Sequence, residues 1–518
     1  MNRFFMSATL FAIAVGCFVA FLSGAAPQYD KNLQGLARLV DVHAEIVREY
    51  VEEPDEEKMI DAAVRAMIDT LDDLHTVYLS PEDIKAFDKH VRGTFSGIGA
   101  EVGMKDGQLL IVSPLEDSPA WNAGVMAGDV VLEIDGVPLA EVVEGLGTDN
   151  EKLKGAINSL TGKAGTDVRL LVRHESNEEE TIVITREQID IPTVRGFWRD
   201  AEGRWHYLLD DVNRIGYVRL SQFTDTTAED LQAVLMELKR RQASGLILDL
   251  RLNPGGLLEA AVEVSDLFLE DGKSIVSVKG RRVPDRVINS TAHMVLGSIP
   301  IVVLANEFSA SASEIVTGAL LENDRAQFVG TRTFGKGSVQ QVNKLKSPGA
   351  IKITNAHYYL PNGRNIHRKK DQETWGVDPK DGFYVPMTTD QIKEMLDHRR
   401  VGELHPADSR DQQNAGGAST MTPAVIEETR ADPQLAAALA AILGKVETGQ
   451  WPKVGESGAD DLARQSERER LSRRRGQLQD AVSRIDGELA KLDSTEDTST
   501  ESSDEEHDPA EPEPAEAP

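Results

Sequence analysis

Ile301-Val302-Val303-Leu304-Ala305-Asn306-Glu307-Phe308-Ser309-Ala310-Ser311-Ala312-Ser313-Glu314-Ile315 passes from an apolar run, through small hydroxyl residues, into a second apolar segment. Ile301 to Leu304 reads as a buried strand and Ser313 to Leu321 as a helix, so the hydroxyl residues fall on a strand-to-helix turn. Such a turn presents a side chain beside the free N–H groups of a helix start. Acyl transfer needs both a nucleophile and donors for the developing oxyanion. A serine here also suits a plain N-cap, which satisfies the same backbone donors. Strands at Ile215 to Leu220, Leu246 to Leu250 and Ile351 to Leu360 alternate with helices at Ala228 to Arg241 and Leu257 to Leu269. The alternation across 187–386 predicts an α/β core.

Thr333-Phe334-Gly335-Lys336-Gly337-Ser338-Val339-Gln340-Gln341 sets one lysine between glycines, after the strand-like Gln327-Phe328-Val329. Backbone can pack closely around an amine there, and desolvation would lower its pKa. Only a neutral amine accepts a serine proton, so a Ser–Lys pair requires such burial. A solvated turn lysine is the plainer alternative. Leu250-Arg251-Leu252-Asn253-Pro254-Gly255-Gly256 is a turn after a buried strand, and its glycine N–H groups are also what an oxyanion hole uses.

Taken together, Ser309-Ala310-Ser311-Ala312-Ser313-Glu314, Phe334-Gly335-Lys336-Gly337 with Gln340, and Asn253-Pro254-Gly255-Gly256 resemble the carboxy-terminal processing, or tail-specific, proteases. The resemblance spans roughly Leu33 to Pro386. It implies a multidomain α/β protein with a small N-terminal helical region, a β-rich PDZ domain and a crotonase-like protease core, to which composition adds a disordered acidic C-terminal tail. In the family the nucleophile precedes Ala-Ser-Glu and lies 25 residues ahead of the lysine, which selects Ser311 for Lys336. Ser309 and Ser313 become supporting residues. Gln340, taken as one helical turn beyond Lys336, matches the glutamine that orients the amine. The backbone amides of Gly255 and Ala312 would form the oxyanion hole, with Gly256 as the other choice in that turn. The implied reaction is peptide hydrolysis through an acyl-enzyme, without metal or organic cofactor.

His293, His357 and His367 offer alternative bases but sit in no recognisable triad motif. Asp249, Asp135 and Glu314 are candidate carboxylates with nothing to pair them, and Glu314 has the ordinary place of an acid at a helix start.

Phe95-Ser96-Gly97-Ile98-Gly99, the run Ser118 to Asp129 and Ile134-Asp135-Gly136 resemble a PDZ domain over 93–186. Phe95, Gly97, Ile98 and Gly99 are then the candidates for holding a peptide's C-terminal carboxylate on backbone N–H groups. Protein or peptide substrates with free C-termini follow. The helical region, 27–92, resembles the family's N-terminal segment, which implies dimerisation or gating. A homodimer or higher oligomer and an adaptor or activator protein are the further partner expectations. A catalytically silent PDZ scaffold is the alternative, disfavoured by the presence of Ser311, Lys336 and Gln340. The charged stretch His367 to Glu373 and everything from Thr388 onward depart from the family pattern.

The 518 residues carry a net charge of -30, which argues against nucleic acid, because phosphate binding needs clustered Lys and Arg. Residues 4–26 contain no charge and follow Arg3, as in a secretory signal with a cut before Ala26 or an uncleaved membrane anchor. An exported protein, periplasmic or anchored facing that side, follows. Cys17, the one cysteine, lies in this segment, so no disulfide framework is available. Beyond the core, 387–460 reads as a polar extension with one short helix at Pro433 to Leu443, and 461–492 as a charged helix. The acidic tail, 493–518, reads as disordered.

Overall fold

A computed structural model of the chain describes residues 29–489 apart from short stretches, the longest at 85–93 and 405–420. The signal-like segment with Cys17 and the acidic tail lie outside the described residues. The chain divides into two compact units, one formed by residues up to 84 with 340–354, the other by 85–339 with 355 onward.

In the first unit, α1 (Tyr29–Glu49) and α2 (Glu56–Asp69) are separated by a short link that contains Pro54. Asp55 caps α2 by accepting the Lys58 N–H at 3.0 Å. The region is not wholly helical: β1 (Val77–Leu79) pairs antiparallel with Ala350–Lys352. Three residues are too few for strand alternation to register in sequence, and their partner lies some 270 positions away. Among the described residues, no helix is long and apolar enough to cross a membrane.

The second unit opens with β2 (Thr94–Gly97), β3 (Ala100–Lys105), β4 (Gln108–Pro114), β5 (Val130–Ile134), α3 (Asp149–Leu160), β6 (Asp167–Arg173), β7 (Glu179–Thr185) and β8 (Glu187–Asp190). Strands β3 to β7 form one antiparallel sheet in chain order, with β3 at its edge. Alternate residues Val168, Leu170 and Val172 are wholly buried, the period-two pattern of a half-covered sheet. Because β8 pairs with β2, Thr94 opposite Asp190, the module extends past 186 to 190. His174 bridges Asp129 (Nδ1 to Oδ1, 2.7 Å) and Glu180 (Nε2 to Oε2, 3.1 Å), and hydrogen bonds to these carboxylates raise its pKa above the ordinary imidazole value.

The core follows as β9 (Ile215–Leu220), α4 (Thr227–Arg240), β10 (Gly245–Asp249), α5 (Leu258–Asp266), β11 (Ile301–Ala305), α6 (Ala312–Glu322) and β12 (Gln327–Gly330). The four strands are parallel and lie side by side in chain order. Parallel crossovers are right-handed, so successive steps in one direction put every connecting helix on the same face. Leu246, Leu248, Ile301 and Val303 accordingly pack among Leu235, Val264 and Val316 of α4, α5 and α6. The intervening residues Ile247, Val302 and Leu304 point to a face the repeat leaves bare.

That face is covered from the far end of the chain. After α7 (Thr389–Leu404) and α8 (Pro423–Arg430), α9 (Pro433–Thr448) lays Leu435, Ala438, Leu439 and Ile442 against Ile247, Val302 and Leu304. Among the described residues, the stretch 387–460 is therefore not a polar extension with one short helix but holds three helices, the last of which completes the core. Their spacing, at 435, 438, 439 and 442, is that of one helical face.

Asp432 ties the start of α9 to the carboxyl edge of the parallel strands. It accepts the Leu435 N–H at 2.9 Å as N-cap and binds the Arg251 guanidinium at 2.7 and 2.8 Å. Arg251 is wholly buried and also meets Asp249, whose Oδ2 accepts Tyr217 Oη–H at 2.7 Å. Burial opposes the Asp249 charge, but Arg251 outweighs it and holds that carboxyl well below the usual range.

Candidate active site

Three loops leave the carboxyl ends of β10, β11 and β12, the edge at which parallel α/β sheets hold ligands. The first is organised by Asn253, which is fully buried. Its Nδ2 donates to Leu220 O at 2.9 Å, while its backbone carbonyl accepts the Ala310 N–H and the Ser313 hydroxyl, each at 3.0 Å. The second loop is pinned by Ser309, whose hydroxyl donates to Leu250 O at 2.8 Å and accepts the Asn306 N–H at 2.9 Å. Both supporting serines of the motif thus hold backbone. Phe334 N–H donates to Ser309 O at 3.0 Å, joining the third loop to the second.

Ser311 occupies the N-cap position of α6 with φ 56° and ψ -113°, outside the regions a serine ordinarily adopts. Such strain costs about 1–3 kcal/mol and persists only where surrounding bonds over-determine it. They do so here. Glu314, one turn into α6 and fully buried, accepts the Ser311 N–H at 2.8 Å and the Lys336 N–H at 2.9 Å on one oxygen, Oε2. Its other oxygen accepts the Gly335 N–H at 2.7 Å and the Thr333 hydroxyl at 2.6 Å. Burial lifts the Glu314 carboxyl above the ordinary glutamate range, and these four donors oppose the lift. Tyr358 Oη adds a second brace, reaching Ser311 O at 3.2 Å and Lys336 O.

The predicted residues fall as follows. Ser311 and Lys336 have their backbones drawn to a single carboxylate oxygen, and both are partly exposed, with buried neighbours on each side. Lys336 is therefore not sealed from solvent as its flanking glycines suggest. Gly255, at φ +99°, lies against Ser311 and Ala312: a Cβ on it would stand 2.8 Å from Ser311 Cβ and 3.0 Å from Ala312 N. Only glycine fits such an approach. Its N–H, however, donates to Asn253 Oδ1 at 2.9 Å. Gly256 turns toward Phe223, where a Cβ would meet Phe223 O at 2.0 Å. Gln340 is not one helical turn from Lys336, because it stands in the strand Ser338–Lys344, in the other compact unit, where its Nε2 donates to Thr354 Oγ1 at 3.2 Å. Val339 and Val342 favour this extended backbone.

Phe95 and Gly97 lie in β2, and Ile98 and Gly99 form the link to edge strand β3, against which α3 packs. Gly99 at φ +76° sits on Ser118, whose hydroxyl donates to Gly99 O at 2.7 Å. His293 is paired with Asp266 at the surface. His357 meets Gly337 O at 3.3 Å and stacks near His367, 5.1 Å between ring centres, so two of the three histidines flank the Lys336 loop. Asp135 and Asp249 belong to other networks. Among the described residues no His, Cys, Asp and Glu cluster has the makings of a metal site.

Tyr358 is a bracing residue that sequence reading did not single out, whereas Glu314 and Asn253, read only as a helix-start acid and a turn residue, gain their bracing contacts from the fold.

Comparison with known proteins assigns these modules. Residues 214–380 match the model of peptidase family S41, 96–185 that of a PDZ domain, and 19–83 that of the activating protease CtpB N-terminal domain. The carboxy-terminal-processing protease of Bartonella bacilliformis is 39% identical over 340 residues, covering 64% of this chain and 72% of the relative. The carboxy-terminal processing protease CtpB of Bacillus subtilis is 33% identical, covering 72% of this chain and 75% of the relative. A solved photosystem II D1 C-terminal processing protease is 26% identical, covering 71% of this chain and 98% of its own, with a TM-score of 0.38. The chain belongs to the carboxy-terminal processing protease family and combines a PDZ domain with a serine-type S41 peptidase core.

Proposed function

We propose that this protein is a serine endopeptidase that cleaves exported proteins at or near their C-termini through an acyl-enzyme on Ser311, with Lys336 as general base. The observation that carries the reading is the convergence of the Ser311 and Lys336 amides on one buried oxygen of Glu314, at 2.8 and 2.9 Å. Ser311 attacks the scissile carbonyl, and Lys336 takes its proton and returns it to the leaving amine. Water then releases the acyl group by the same route. The Ala312 N–H and a glycine N–H of the 253–256 turn receive the oxyanion; if Gly255 serves, its amide must turn from Asn253 toward the substrate. The substrate's extended C-terminus adds to edge strand β3, with its carboxylate on the Gly97-Ile98-Gly99 loop. Residues 4–26 direct export, either as a cleaved signal or as an anchor.

An unstructured peptide with an apolar C-terminus, offered to the full chain as free acid and as amide, tests this reading. The acid is expected to be cleaved, and the amide about ten- to a hundredfold more slowly, the worth of lost charge-assisted bonds. Equal rates would end the C-terminal assignment, and tight binding without cleavage would favour a scaffold.

Glu314→Gln offers one acceptor oxygen where two are used, and turns an NH2 toward two donors whichever way it is placed. A loss of about 10²-fold in kcat, with KM little changed, is expected in a steady-state assay. A variant within threefold of the parent would remove Glu314 from the positioning of the dyad.

A further inference from the structure

The helical stretch that begins at residue 460 carries six arginines and two glutamates between positions 464 and 475. Arg464, Arg468, Leu471, Ser472 and Arg475 line, with Trp375, an open groove of about 480 Å³. The Trp375 ring lies under two further guanidiniums, Arg368 at 4.5 Å and Arg332 at 4.7 Å. Arg332 is engaged by Asp378 and Asp460, and Arg464 by Asp461 at 2.7 Å. The guanidiniums of Arg332, Arg368, Arg464, Arg468 and Arg475 thus gather around an indole and a leucine. The chemistry that fits is an acidic segment with small apolar residues between its carboxylates.

The groove also abuts the proposed catalytic loop. A Cβ on Gly335 would lie 2.6 Å from Trp375 Cδ1, and Gly335 O accepts the Arg368 N–H at 2.8 Å, one residue ahead of Lys336.

The chain contains such a segment. Residues 493–518 hold eleven Asp and Glu, no Lys or Arg, and alternate Pro and Ala with Glu toward the end. From 475 to 489, the last described residue, a helix would rise about 21 Å, whereas the residues after it span up to about 95 Å if extended, ample to return to the groove.

We propose that this acidic tail docks in the groove between Trp375 and the arginine-bearing helix. Its carboxylates meet Arg464, Arg468 and Arg475, while its Pro and Ala residues cover Trp375 and Leu471. Docking does not depend on the peptidase reading, so its test stands even for an inactive protein.

The test uses the full chain with Cys17→Ala and Ala515→Cys, labelled at the new cysteine with bimane, a fluorophore quenched by contact with tryptophan. At about 50 mM salt the emission is expected to be quenched, and to rise about twofold at about 0.5 M salt, where exposed charge pairs are screened. Trp375→Phe, and separately Arg464→Glu with Arg468→Glu and Arg475→Glu, should each give the same rise. Glu511→Gln with Glu513→Gln and Glu516→Gln, which leaves the core untouched, should do so as well. Emission indifferent to the tail variant and to salt would overturn the proposal. Quenching that deepens with protein concentration would also overturn it, since the tail would then be bound by a second copy.

Discussion

Lys336→Arg is expected to abolish peptide cleavage as completely as Ser311→Ala, each losing at least about 10³-fold in kcat/KM. Arginine keeps the positive charge and most of the reach, but its guanidinium stays protonated and has no lone pair for a serine proton. If position 336 supplied only positive charge to the oxyanion, arginine would retain much of the activity. If it supplies the base, arginine is no better than alanine. On the proposed mechanism the two residues act on one proton, so Ser311→Ala combined with Lys336→Ala should fall no lower than either alone. Binding of an uncleaved peptide to the PDZ domain should be unchanged in all of them. Progress curves on a C-terminally free peptide read these ratios, and more than a tenth of parental activity in Lys336→Arg would exclude the lysine as base.

Asp432→Ala is expected to destabilise the folded core by about 3–5 kcal/mol, because it strips one of two carboxylates from a wholly buried guanidinium. The same change removes the N-cap of α9, which accepts the Leu435 N–H at 2.9 Å. Asp432→Asn keeps the cap and gives up only the charge, so it should cost less than alanine. Replacing Arg251 and Asp432 together by well-packed apolar residues should recover part of the loss, since neither charge is then left alone. Denaturant unfolding followed by circular dichroism measures all three. An alanine cost below about 1 kcal/mol would mean that solvent or Asp249 already compensates Arg251.

Much of the core was legible because strands buried on both faces give largely apolar runs: Ile215 to Leu220, interrupted only by Arg219, was read to the residue, and Ile301 to Leu304 to within one. The strand-to-helix turn that carries Ser311 was legible for the same reason, as small residues caught between such a run and a helix. Glu314 was not, since sequence shows an acid at a helix start and nothing of the Thr333, Gly335 and Lys336 groups that fold back some twenty positions later. The role of α9 was hidden differently. Its Ala- and Leu-rich face was visible, but only the one-sided arrangement of α4, α5 and α6 reveals that a face of the sheet awaits it. Gln340 misled because a spacing of four suits a helix, whereas the glycine and valines around it set an extended backbone.

A nascent chain cannot close this sheet until residue 448 has been made. Synthesis runs from β9 to β12 with one side of the sheet still open to water, and Arg251, two positions before Asn253, still lacks the carboxylate of Asp432. The braces around Ser311 hang from that same edge. Completion of the edge that carries Ser311 thereby depends on residues 432–448, far along the chain from the motif itself.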